Sequence, residues 1–185
     1  MIKNVILGAI VAVVLVGTTT TVLATIASGS YLDINWTKTQ VWNNKALEVR
    51  ADMNSNIPES GKAGAFGYAW LTDDLNNVLV VVTHKGLDDS NYEDPVSGFH
   101  THVLDLMTPT TSCDAYDLEV DLAGSGANTA FDPNYEFFVQ NRRVEVQHVP
   151  AIDLGDAGVE MFATFTVTPV EDGDLHLCVD VIETT

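Results

Sequence analysis

Val78-Leu79-Val80-Val81-Val82-Thr83 is an unbroken aliphatic and β-branched run of strand length. Such residues fit a pleated, buried surface, so the run reads as a central β-strand. A turn signal, Asp73-Asp74 with Asn76-Asn77, precedes it, and a polar loop from Lys85 to Ser97 follows. Working outward, the same grammar repeats. Ala46 to Met53 alternates polar and apolar, Ala65 to Leu71 is aromatic-rich, and Phe99 to Met107 reads as a strand carrying two histidines. Asp117 to Leu122 alternates again, and Tyr135 to Val149 reads as a strand or hairpin. Val159 to Val170 and Leu175 to Ile182 flank Glu171-Asp172-Gly173-Asp174, which suits a hairpin turn. With no amphipathic helix among these runs, the expected fold is an all-β sandwich or barrel over residues 46–185. Residues 28–45, with Trp36 and Trp42, read as a polar lead-in.

The 185 residues are 46% hydrophobic, and 26 acidic side chains face only 8 basic ones, a net charge of −18. Such a surface repels nucleic acid and anionic lipid, so neither is an expected partner. Residues 1–27 read as an export signal. Lys3 supplies the positive start, Val5 to Val16 the apolar run, and Val22-Leu23-Ala24 or Thr25-Ile26-Ala27 the cleavage site. The uncharged stretch from Val5 to Ala27 is also long enough to remain as a membrane anchor. Either way the domain is expected outside the cytoplasm, extracellular or at the cell surface.

Cys113 and Cys178 are the two cysteines. In an exported chain a disulfide between them is the default expectation, with two buried thiols as the alternative. Asn35-Trp36-Thr37 is a candidate glycosylation sequon at Asn35.

The chemistry centres on Gly98-Phe99-His100-Thr101-His102. A strand sends i and i+2 to one face, so both imidazoles point the same way, their backbones roughly 7 Å apart. That spacing allows two ligands of one metal ion. His100 and His102 share their face with Leu104 and Leu106, leaving Phe99, Thr101 and Val103 on the other. By the same parity His148 should face the core with Val144 and Val146, unless a bulge or strand end intervenes.

Here the chain resembles the copper-site half of copper,zinc superoxide dismutases. Lys85-Gly86-Leu87 followed by Gly98-Phe99-His100-Thr101-His102 matches the family's K-G-L and G-F-H-x-H, whose histidines bind copper. His148, within Val146-Gln147-His148-Val149-Pro150-Ala151-Ile152-Asp153-Leu154-Gly155, is similar to another copper histidine in V-x-H-x-x-A-x-D-L-G. Cys113 and Cys178 stand in the order of the family's disulfide. The resemblance implies a Greek-key β-sandwich or barrel of the dismutase type. It also implies copper on His100, His102 and His148, and superoxide as substrate.

Three departures shape the expectation. From Asp114 to Gln147 there is no histidine, so the bridging histidine is missing and zinc is not expected at the family's usual site. Leu175 stands where the family has its active-site arginine, although Arg142 and Arg143 lie near His148 in sequence. A strongly acidic protein also disfavours an anionic substrate unless the site is locally positive.

Three neutral imidazoles with an open position suit copper or zinc, and copper(II) outranks zinc for nitrogen ligands. His84 and His176 are further candidate ligands. The acidic groups at Asp88-Asp89, Glu93-Asp94 and Asp114 to Asp121 lack calcium-loop spacing and read as solvated surface. The expected function is an exported copper-binding domain on a dismutase-like scaffold, with residual superoxide dismutation as its enzymatic limit. The competing reading is a metal-free, secreted or surface-anchored β-sandwich with a structural or interaction role.

Overall fold

β-Branched and aromatic residues fill the patterned runs, and the described residues fold mainly into strands. The computed structural model describes residues 30–42, 46–58, 64–72, 77–84, 90–126, 131–154 and 158–185. The export segment 1–27, Lys85-Gly86-Leu87 and Asp88-Asp89 lie outside the described residues. Among the described residues eleven strands run in chain order: β1 (Ile34–Trp42), β2 (Ala46–Met53), β3 (Phe66–Leu71), β4 (Val78–Thr83), β5 (Phe99–Leu104), β6 (Leu106–Met107), β7 (Leu118–Val120), β8 (Glu136–Gln140), β9 (Arg143–Pro150), β10 (Met161–Asp172) and β11 (Asp174–Thr184). Two single 3-10 turns, Thr111–Cys113 and Ala151–Leu154, are the only helical elements among the described residues. The fold is therefore all-β, as expected.

The strands form a four-stranded antiparallel sheet, β1-β2-β9-β8, and a seven-stranded one, β5-β4-β3-β10-β11-β7-β6. The segment read as a polar lead-in is in fact β1, paired with β2 along its length. Its β-branched Thr37, Thr39 and Val41 favour a strand, and its polar side chains suit an edge that buries little. The Arg50 guanidinium lies 4.7 Å from the centre of the Trp36 ring, covering part of it. The β-domain thus begins before residue 46.

Between the sheets lies an aromatic-rich core. Phe66, Tyr68, Trp70, Phe99 and Phe162 from the large sheet meet Leu47, Val49, Met53, Val144 and Val146 from the small one. The alternation read in β2 appears directly, with Leu47, Val49, Ala51 and Met53 buried and their neighbours half-exposed. β3, β4 and β5 differ, because every residue in them is buried. Their second face has a core of its own, built of Ala69, Leu71, Val78, Val80, Val82, Leu104, Ala163, Phe165 and Val179.

That second core exists because the large sheet curls into a half-barrel. Its two terminal strands, β5 and β6, are consecutive in the chain and separated only by Asp105. Asp105 pins this corner: its carboxylate accepts from the Asn77 amide (3.1 Å), its amide donates to Ser125 Oγ (2.9 Å) and its carbonyl accepts from the Asp121 amide (2.9 Å). Gly67 allows the inside of the curl to be filled. A β-carbon there would sit 2.5 Å from the Phe165 ring and 2.8 Å from the Val81 carbonyl oxygen. The Cys113–Cys178 disulfide, Cα atoms 5.4 Å apart, joins the 3-10 turn to β11 beside β7. In the chain-entropy model, closing a loop across the 65-residue separation of the two cysteines contributes about 4 kcal/mol.

Candidate metal centre

β4 and β5 are antiparallel neighbours, with Val82 opposite His100 and Val80 opposite His102. Inside the curled sheet, β4 presents Val78, Val80 and Val82, and period two carries that face on to His84 just past the strand end. From β5 the same face presents His100 and His102. Three histidines from two neighbouring strands therefore converge. All are buried, His100 completely, with 9% of His84 and 3% of His102 accessible.

The rings nearly touch. His84 Nε2 and His100 Nε2 are 3.1 Å apart, and the His84–His100 and His100–His102 ring centres are each 4.8 Å apart, close to perpendicular. One ligand nitrogen from each histidine lies within 4.8 Å of the others. Two nitrogens bound to one ion at about 2.0–2.1 Å, with tetrahedral angles, sit about 3.3 Å apart. The His84–His100 separation already matches that value.

Surrounding groups orient the rings. His102 Nδ1 lies 3.0 Å from the Phe131 carbonyl oxygen, which can only accept. Nδ1 therefore carries the proton, and in the neutral ring Nε2 keeps its lone pair, the usual arrangement for a histidine that binds a metal. The Phe131 ring packs on the His102 ring at 4.5 Å, and Thr101 Oγ1 donates to the Pro133 carbonyl at 2.9 Å. Asp132 lies between those contacts and accepts from Ser90 Oγ and the Asn91 amide, so segment 131–133 is tied to the loop before β5. In that loop Asp94 accepts from the Val96 and Ser97 amides. The Ser97 amide bond holds the Asp94 carboxyl below its ordinary value. Gly98, at a φ of +68°, makes the sharp entry into β5. Glu93 places a carboxylate oxygen 3.9 Å from His100 Nδ1.

His148 does not join this group. In β9, Val149 pairs with Leu47 but Val146 pairs with Val49, so β9 carries one residue more than β2 between these pairs. His148 takes up that extra residue at a φ of +58°, and Val149 returns to the core. The expected inward parity is broken by this bulge. The His148 side chain is 78% exposed, on the four-stranded sheet, with Nδ1 3.2 Å from Glu136. Arg142 and Arg143 lie at the β8–β9 turn of that sheet, whereas the clustered imidazoles occupy the face of β5 turned away from it.

His176 is apart as well. Its Nδ1 lies 2.7 Å from Glu119, which pairs across the strands with Cys178. Burial raises the Glu119 carboxyl, but hydrogen bonds from His176 and from the Thr110 amide outweigh burial and hold it below its ordinary value. Asn35 is exposed on β1, where β1 and β2 shift register. Several acidic residues have structural partners. Asp121 accepts from the Ala123 and Gly124 amides, and Asp117 from the Val181 amide.

No family model, curated protein or solved structure matches the chain.

Proposed function

We propose that this chain is an exported copper-binding domain in which His84, His100 and His102 hold the ion. The observation that carries the reading is the burial of three imidazoles with ligand nitrogens mutually within 4.8 Å. Nitrogen donors without a thiolate or carboxylate among them favour copper over the other common divalent ions. The G-F-H-x-H likeness supports the same metal, with His84 taking the place expected of His148. The disulfide supports an oxidising compartment. Bound copper would supply a centre that accepts and releases one electron. The chain's own residues orient its ligands: the Phe131 carbonyl fixes the His102 tautomer, and the loop around Asp94 sets the start of β5. Superoxide dismutation has weaker support, because the imidazoles face an apolar interior and Leu175 replaces the guiding arginine.

Metal analysis of the full chain after copper loading and dialysis tests this. One copper per chain is expected, falling to near zero in His100→Ala and markedly in His84→Ala and His102→Ala. Stoichiometry unchanged in all three variants would reject the site and favour the metal-free structural reading. A superoxide-consumption assay on the loaded protein then separates an enzyme from a copper-holding module.

A further inference from the structure

The loop before β5 brings a carboxylate to the candidate metal centre. His100 is completely buried, with Nε2 3.1 Å from His84 Nε2. Its other nitrogen, Nδ1, lies 3.9 Å from a Glu93 carboxylate oxygen. One ring therefore links the histidine cluster to the loop carboxylate. His102 is arranged alike, with Nδ1 on the Phe131 carbonyl. The Glu93 side chain is 44% exposed, so it stands between water and the buried ring.

Its placement is built into the loop. On one side the Asp94 amide donates to the Phe99 carbonyl (2.8 Å), and the Asp94 carbonyl accepts from the Gly98 amide (2.7 Å). On the other, Ser90 Oγ (2.7 Å) and the Asn91 amide (3.0 Å) donate to Asp132. Glu93 thus lies between two anchored points, which fixes where its side chain starts.

We infer that Glu93 is a positioning residue that biases the site towards copper(II) over copper(I). The inference rests on the proposed copper site and names the oxidation state that the site favours. The carboxylate acts in two ways. Facing Nδ1, it favours the tautomer with the proton there, which leaves Nε2 its lone pair and makes the ring a stronger donor. As a negative charge close to the site, it attracts a doubly charged ion twice as strongly as a singly charged one at the same distance. Neither effect requires Glu93 to touch the ion. Removing an outer partner of this kind typically weakens metal affinity about 10–100-fold.

Competition with chelators selective for each oxidation state measures the two affinities separately on the full chain. Glu93→Gln, uncharged and nearly the same shape, should lose about tenfold or more in copper(II) affinity but less than about threefold in copper(I) affinity. Glu93→Asp, which keeps the charge, should recover part of the copper(II) loss. Equal losses in both oxidation states would mean that the substitution only disturbs the loop, and would overturn the inference. So would copper(II) affinity unchanged in Glu93→Gln. In both cases the wild type still binds copper, and the metal site stands. A wild type that holds neither copper(II) nor copper(I) overturns the copper reading, and the inference falls with it.

Discussion

The two faces of the seven-stranded sheet are buried to a similar extent and filled differently. Towards the small sheet, Phe66, Tyr68, Trp70, Phe99 and Phe162 interlock, with Phe66 edge-on to both Tyr68 and Phe99. Inside the curl the residues are smaller and mostly aliphatic, a cavity remains, and three histidines take part in the wall or adjoin it. Large interdigitated rings secure a well-defined packing. Small side chains leave space, and at that space the chain has its clustered metal-ligand candidates. One face thus holds the sandwich together, and the other carries the candidate metal ligands.

Substitutions on the two faces should differ most sharply. Trp70→Ala, on the aromatic side, is expected to cost about 3–5 kcal/mol in denaturant unfolding. Ala69→Val, one residue away but facing the cavity, should cost less than about 1 kcal/mol, because the added methyl groups enter existing space. A comparable cost at both sites would erase the distinction. Next in size is the disulfide. Replacing Cys113 and Cys178 by Ala should remove about 2–5 kcal/mol, and weaker copper retention should accompany it if the curl depends on that clamp. Retention at the wild-type level would show that the histidine end of the half-barrel stands without it.

A smaller effect is expected at Glu119, which joins His176 and the Thr110 amide near the same clamp. Its carboxyl is held below its ordinary value of 4.5 in the folded protein. The stabilisation is therefore fully present above about pH 4.5 and is lost as pH falls through the lower folded-state value. Wild type should exceed Glu119→Gln by about 1.5 kcal/mol at neutral pH, with the two unfolding curves converging as pH falls through that lower value. A gap that persisted at low pH would point to packing rather than charge. The smallest effect belongs to His148. His148→Asn, which tolerates the positive φ, should change stability by less than about 0.5 kcal/mol and leave copper stoichiometry untouched. Loss of copper in this variant would restore His148 to the metal site and undo the division between the two sheets.

Much of the fold was legible from residue pattern. The alternation in Ala46 to Met53 and the apolar run Val78 to Thr83 both became strands with the expected burial. β1 was missed because an edge strand needs little apolar content, so its polar residues resembled a connecting segment. In the site, His100 and His102 were legible as a pair on one face. His84 carried a readable signal as well, since period two from Val78 ends on it, but its meaning depends on β4 lying beside β5. His148 misled because parity assumes an unbroken strand, and β9 contains an extra residue there.

By itself, the sequence determined that most of these segments are strands, which side chains share a face wherever a strand is unbroken, and that two cysteines were available to pair. Those properties follow from local backbone geometry, which repeats every two residues whatever the strand lies against. Only the tertiary structure decided which histidines meet. Strand neighbours, the curl that brings β5 round to β6, and the bulge that turns His148 outward all arise from contacts between distant segments. Through them His84 is gathered in, and His148 is left facing water.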